Sequence, residues 1–278
     1  MCRMAVTLIV ASVSGIALYG QSSVAPSLDV VGIRVGMTVK EAAAALKADN
    51  PRLMLSPGTH NLEGFAQPLL FSIIGNEDAT TGPNGTMTRA NETITLLFTT
   101  PPSLEVVWGV KRVYNFLPKE QPEMQNMLEA LRMKYGPESR PASPDPRDLS
   151  KYVAWVYDAQ GKPMGPSGAP LNMTCAPDAT AHFGSGDDPT LNEIQSGRPS
   201  GPPQCQSITI VNANVLGSQV DPSKVNSTLV VRSLIVQITD GARHRASVDA
   251  TRAVALGATK SREDKENEVI KKRPTPKI

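Results

Sequence analysis

The sequence predicts an α+β fold: an antiparallel sheet or sheets with short packing helices, in two small lobes, with a long disulfide-clasped loop. Three observations carry this. Short β-branched and apolar runs alternate with turn-rich segments, two stretches have the apolar spacing of amphipathic helices, and 24 Pro and 21 Gly among 278 residues break the chain often. Forty per cent hydrophobic and 19% charged residues are ordinary for a globular chain. A formal net charge of +2 gives no broad attraction to nucleic acid or an anionic membrane. With only 2 Trp, 5 Tyr and 5 Phe, stacking platforms for bases are not expected either.

The chain opens with one basic residue, Arg3, an apolar run from Met4 to Leu18, and small residues through Gly20, Ser22, Ser23 and Ala25. That order describes a secretory signal peptide over residues 1–25, too short in its apolar part for the ~20 residues of a membrane span. The competing reading keeps the segment as a membrane tether. No Cys stands directly after the apolar run to carry a lipid. Of three cysteines, Cys2 falls in this segment, leaving Cys175 and Cys205. A lone pair in an oxidising compartment reads as a disulfide closing a loop of about thirty residues.

Thr38 and Glu41 form a capping box, followed by an apolar stripe of Val39, Ala42, Ala43 and Leu46, and Asn50-Pro51 ends the helix. Strands are expected at Leu69 to Ile74, Thr93 to Phe98 and Glu105 to Phe116. In the last, Val106, Trp108, Val110, Tyr114 and Phe116 share one side of the pleat. A second helix runs from about Gln121 to Tyr135, with Met124, Met127, Leu128, Leu131 and Tyr135 inward and Gly136-Pro137 as its stop.

Four prolines (137, 141, 144 and 146) mark residues 137–149 as a linker between an N-terminal lobe, 29–136, and a C-terminal lobe, 150–257. Tyr152 to Tyr157, Ser207 to Val215 and Thr228 to Thr239 read as strands, the last apolar on both faces. Between them, Lys162 to Gln204 reads as an irregular loop held by the disulfide. Asp240 either caps a final helix through Leu256 or opens a hairpin with Gly241. Residues 258–278, with seven Lys/Arg and four Asp/Glu, read as a solvated, disordered tail.

Catalytic signatures are missing. His60, His182 and His244 stand in no HExxH, and Cys175 and Cys205 have no metal spacing. Gly165-Pro166-Ser167-Gly168 falls short of a GxSxG elbow, and neither GxGxxG nor GxxxxGK[ST] occurs. No catalytic, cofactor-binding or metal-binding residue is therefore assigned. His182 near Asp178, Asp187 and Asp188 is the place for an unfamiliar hydrolase site or a metal. The Arg243-His244-Arg245 trio reads as an exposed helix face, and Asp187-Asp188 and Glu263-Asp264 as loop or tail. Asn84, Asn91, Asn172 and Asn226 begin Asn-x-Ser/Thr triplets that matter only in a eukaryotic secretory pathway.

The stretch Val31-Gly32-Ile33-Arg34-Val35-Gly36-Met37-Thr38-Val39-Lys40-Glu41 resembles the opening of many exported bacterial proteins, where G-x-x-x-G-M-[ST] leads into a short helix. Small OmlA/SmpA lipoproteins of outer-membrane assembly and proteins similar to the β-lactamase inhibitor protein share it. The resemblance covers about a dozen residues, of which a capping box alone accounts for part. It implies an α+β fold, a bacterial envelope setting and a binding role, with no residue roles carried over. The expectation is a periplasmic or secreted, non-enzymatic protein-binding module whose partner is another envelope protein. It involves no cofactor and no nucleic acid, and touches a membrane only if the N-terminal helix is uncleaved. Its contact surfaces are the clasped loop and exposed sheet edges.

Overall fold

A computed structural model describes residues 28–77, 91–145, 147–181, 183, 189–198, 202–220, 223 and 228–273. Residues 1–25, expected to be a signal peptide, and His182 lie outside them, as do Asn84, Asp187, Asp188 and Asn226. A two-stranded ribbon, β1 (Asp29–Val30) and β2 (Ile33–Arg34), leads into α1 (Val39–Asp49). The capping box forms as the residues dictate: Glu41 N donates to Thr38 Oγ1 at 3.3 Å and Thr38 N to Glu41 Oε2 at 2.9 Å. Four strands follow, β3 (Met54–His60), β4 (Leu69–Asn76), β5 (Asn91–Phe98) and β6 (Val107–Asn115), then α2 (Met124–Tyr135) and β7 (Ser150–Tyr157). Next come α3 (Ala169–Ala181), α4 (Pro189–Ser196), the long strands β8 (Thr209–Gln219) and β9 (Leu229–Asp240), and α5 (Gly241–Lys271).

Seven strands make one antiparallel sheet in the order β3-β4-β5-β6-β9-β8-β7. This corrects the two-lobe expectation. β6, from the first stretch, pairs with β9, from the second, along seven residues from Gly109↔Thr239 to Asn115↔Ser233. Residues 137–149 are no linker between lobes. Trp155 Nε1 donates to the Gly136 carbonyl, Ser139 and Arg140 pair with Ala154, and Lys151 Nζ reaches the Ser143 carbonyl. The segment is strapped along the outer edge of β7.

Helices cover both sheet faces, the three-layer solution for a two-sided apolar sheet. On one face, Ala42 and Leu46 of α1 and Met124, Leu128 and Leu131 of α2 share a core with Ile94, Leu96, Val110, Val236, Ile238, Val211 and Trp155. The opposite face carries three smaller clusters. Phe71 meets Ile194 of α4 and Val248 of α5; Val156 and Ile210 meet Cys175 of α3; Leu97 and Trp108 meet Phe183. Trp108 is therefore not on the same face as Val110. Leu97 opposes Gly109 while Phe98 opposes Val107, so Trp108 is the extra residue of a bulge that turns its indole over.

Two further expectations are corrected. Lys162 to Gln204 is not uniformly irregular, since α3 and α4 lie within it. Their signal was weak because α3 has little amphipathic contrast and carries Pro170 and Pro177, and α4 is only eight residues long. The tail is helical as far as Lys271, because Ala, Arg, Glu and Lys continue the α5 helix without a stop. Glu63 anchors it, accepting from Thr259 Oγ1 at 3.1 Å and pairing with Arg262 at 2.9 Å.

Candidate functional site

The G-x-x-x-G-M-T stretch is stitched to the start of β6: Gly36 N donates to the Val107 carbonyl at 2.7 Å and Val107 N to the Met37 carbonyl at 2.8 Å. Gly36 has φ +89° and faces the Arg243 guanidinium, 3.4 Å from where a Cβ would sit. This turn walls a cleft of 860 Å³ at the end of the sheet. Its other walls are the β5–β6 turn with Ser103 and Leu104, the turn Asp158–Gly161, residues Ser207–Thr209, and the first turns of α5. The disulfide, Cys175–Cys205 with Cα atoms 5.4 Å apart, ties α3 to the 3₁₀ turn Pro203–Ser207 that feeds this wall. At the seam Gly241 is obligatory in size, since a Cβ there would meet the Cys205 carbonyl oxygen at 2.0 Å.

Both acids of the cleft and several of its other polar groups are engaged by the fold itself. Asp158 accepts from the amides of Gln160 and Lys162 at 3.0 and 2.9 Å. Asp240 caps α5 by accepting from Arg243 N at 3.0 Å and also binds Arg243 Nε at 3.2 Å, which decides the helix over the hairpin. Thr99 Oγ1 donates to the Leu104 carbonyl, and Ser247 Oγ accepts from Thr100 N at 2.8 Å. Among the described lining residues there is neither His nor Cys. Leu104 stands 82% exposed at the rim.

A second cleft, of 600 Å³, holds an ionic network that sequence reading missed. Buried Glu77 at the end of β4 and Glu92 on β5 both accept from Asn50 Nδ2, at 2.8 and 3.0 Å. Arg52 pairs with Glu77 at 3.0 Å and Arg112 with Glu92 at 2.5 Å. Burial pushes the neighbouring Asp49 carboxyl up from its ordinary value. The signal available in the sequence was a Glu beside the β-branched run of β5 and an Arg that broke the apolar pattern of β6; register sets them diagonally, Glu92 opposing Tyr114 and Arg112 opposing Ile94. The arrangement ties the end of α1 to three strands, which accounts for the Arg52–Glu77 and Arg112–Glu92 pairs.

The histidine expectations fare differently. His244 is not on an exposed face but buried, its ring stacked on Trp108 with centroids 4.0 Å apart, and Nε2 lies 3.4 Å from Thr190 Oγ1 and 3.9 Å from Glu193 Oε2. The basic trio is thereby split: Arg243 turns to Asp240 and Arg245 to Asp249. His60 packs edge-on against Phe71 at 5.3 Å. Ser167 lies in a 3₁₀ turn, its hydroxyl donating to the Met164 carbonyl. Asn172 is fully buried and bound to Asn212, so its triplet is closed to glycosylation in the folded chain; Asn91 accepts from Asn115. Among the described residues no three His, Cys, Asp or Glu are grouped to hold a metal ion. No protein-family model, no curated protein and no solved structure matches this chain.

Proposed function

We propose that the protein is a non-catalytic binding module of the bacterial envelope or secreted fraction, and that it takes a protein partner at the end-of-sheet cleft. One observation carries the reading: Asp158, Asp240 and the Thr99 and Ser247 hydroxyls in the cleft serve its own turns and helix cap, and the rim is apolar at Leu104. Such a wall offers shape and contact, and no nucleophile paired with a base. The disulfide fits an oxidising compartment, and no described helix is long and apolar enough to cross a membrane. The resemblance of Val31–Glu41 to envelope binding proteins points the same way, because Gly36 of that stretch lines the cleft.

The sheet edges are weaker candidates. Arg140 and Met164 already bond the outer edge of β7, and the other edge strand, β3, carries Pro57, which has no N–H to offer. The reading is tested by capture of a stoichiometric partner from the envelope fraction of the source organism, with wild type against Leu104→Glu. The expected outcome is one partner lost in the variant while its thermal unfolding stays unchanged. Equal capture by both removes the cleft from the interface.

A further inference from the structure

On the sheet face beneath α3, α4 and α5, register lays a polar row across four strands: Thr95 opposes Lys111, Lys111 opposes Gln237, and Gln237 opposes Asn212. The neighbouring row, Leu97, Gly109, Thr239 and Ile210, is mainly apolar or small. Asn212 is satisfied, its Oδ1 accepting from Tyr152 Oη at 2.7 Å and Asn172 Nδ2 at 2.6 Å. The middle pair is not. Gln237 is 5% exposed and its Oε1 has no hydrogen-bond donor. Lys111 is half-buried, its Nζ lies 5.9 Å from the Phe183 ring, burial lowers its pKa, and no carboxylate among the described residues pairs with it.

A buried acceptor without a donor, and a partly desolvated ammonium with no counter-ion among the described residues, are each unfavourable, and proteins rarely hold such groups idle. Side chains directly opposite on antiparallel strands stand about 5 Å apart at Cβ, so both groups are within reach of the same small molecule. Its chemistry follows from theirs: an anionic oxygen for the Lys111 ammonium and an O–H or N–H for Gln237 Oε1. We propose that Lys111 and Gln237 form a binding site for a small anion that carries its own hydrogen-bond donor, as a 2-hydroxycarboxylate or hydrogen phosphate does. The site stands apart from the end-of-sheet cleft and does not depend on the partner proposed there.

The test follows the Gln237 side-chain amide signals by nuclear magnetic resonance, assigned with Gln237→Met, while the protein is titrated with glycolate, acetate, phosphate or sulfate at constant ionic strength. The pH is kept where phosphate still holds a proton. Glycolate or phosphate is expected to shift these signals saturably, with acetate and sulfate, which lack the donor, at least about tenfold weaker. A response to glycolate assigns a carboxylate and one to phosphate a phosphoryl group. Lys111→Met is expected to abolish the response while melting at or above the wild-type temperature, because it removes a desolvated charge. No saturable shift with either anion, or equal responses to acetate and sulfate, overturns the site. So does a Lys111→Met protein that melts lower than wild type yet still responds, since the ammonium is then structural.

Discussion

Gly241 shows how little room the seam between α5 and the disulfide leaves. A methyl placed there would lie 2.0 Å from the Cys205 carbonyl oxygen, which is backbone and cannot rotate away. Gly241→Ala is expected to cost about 1–3 kcal/mol by overpacking, measured by urea unfolding, whereas alanine ordinarily favours a helix. Buried phenols give a second residue-scale expectation. Tyr157 donates to the Tyr135 carbonyl at 2.7 Å, and burial pushes its hydroxyl up to about 12. Burial, and then the charge of Asp29, move Tyr135 in the same direction. Neutral phenol is the form the fold favours, so the unfolded chain ionises first, near a pKa of about 10. This stability is fully present below about pH 10 and is lost as pH rises toward 12. Alkaline unfolding followed by phenolate absorbance is expected in that window, and Tyr157→Phe should lower neutral-pH stability by about 1 kcal/mol.

Among the elements, α1 was legible to the residue. Its cap, stripe and stop are local features, and Thr38→Ala is expected to cost about 1 kcal/mol, read by thermal unfolding. The long strands β8 and β9 were legible for the same reason, as continuous β-branched runs need no partner to be recognised. β3 was missed because Pro57-Gly58 breaks its pattern and its residues are largely exposed; only its pairing with β4 makes it a strand. The end of α5 was missed for the opposite reason. Composition marks Thr259–Lys271 as highly charged, which fits a solvated helix and a tail equally, and the Glu63 anchor lies nearly two hundred residues away. Truncation after Thr259 is expected to change stability by less than about 1 kcal/mol, because exposed ion pairs contribute little. A larger loss in denaturant titration would show that the distal turns of α5 are held by more than Arg262.

At the scale of the whole molecule, one sheet makes one cooperative unit. Unfolding is expected as a single transition by fluorescence and by circular dichroism, and two separated transitions would restore the two lobes. Reduction of Cys175–Cys205 is expected to lower stability by roughly 3–4 kcal/mol and to weaken capture at the cleft, since the bridge holds the wall carrying Ser207–Thr209. The sequence by itself determined the elements whose signals are local: the capping box, the amphipathic helix Met124–Tyr135, the apolar strands and a pair of cysteines at bridging distance along the chain. Only the tertiary structure decided which strands are neighbours, which face each residue serves and where polar groups gather. Glu77 with Glu92, His244 with Trp108, and Lys111 with Gln237 are brought together by strand pairing, a bulge and a returning helix. Those contacts join residues 15 to 136 positions apart, and no period in the chain encodes a partner at such a distance.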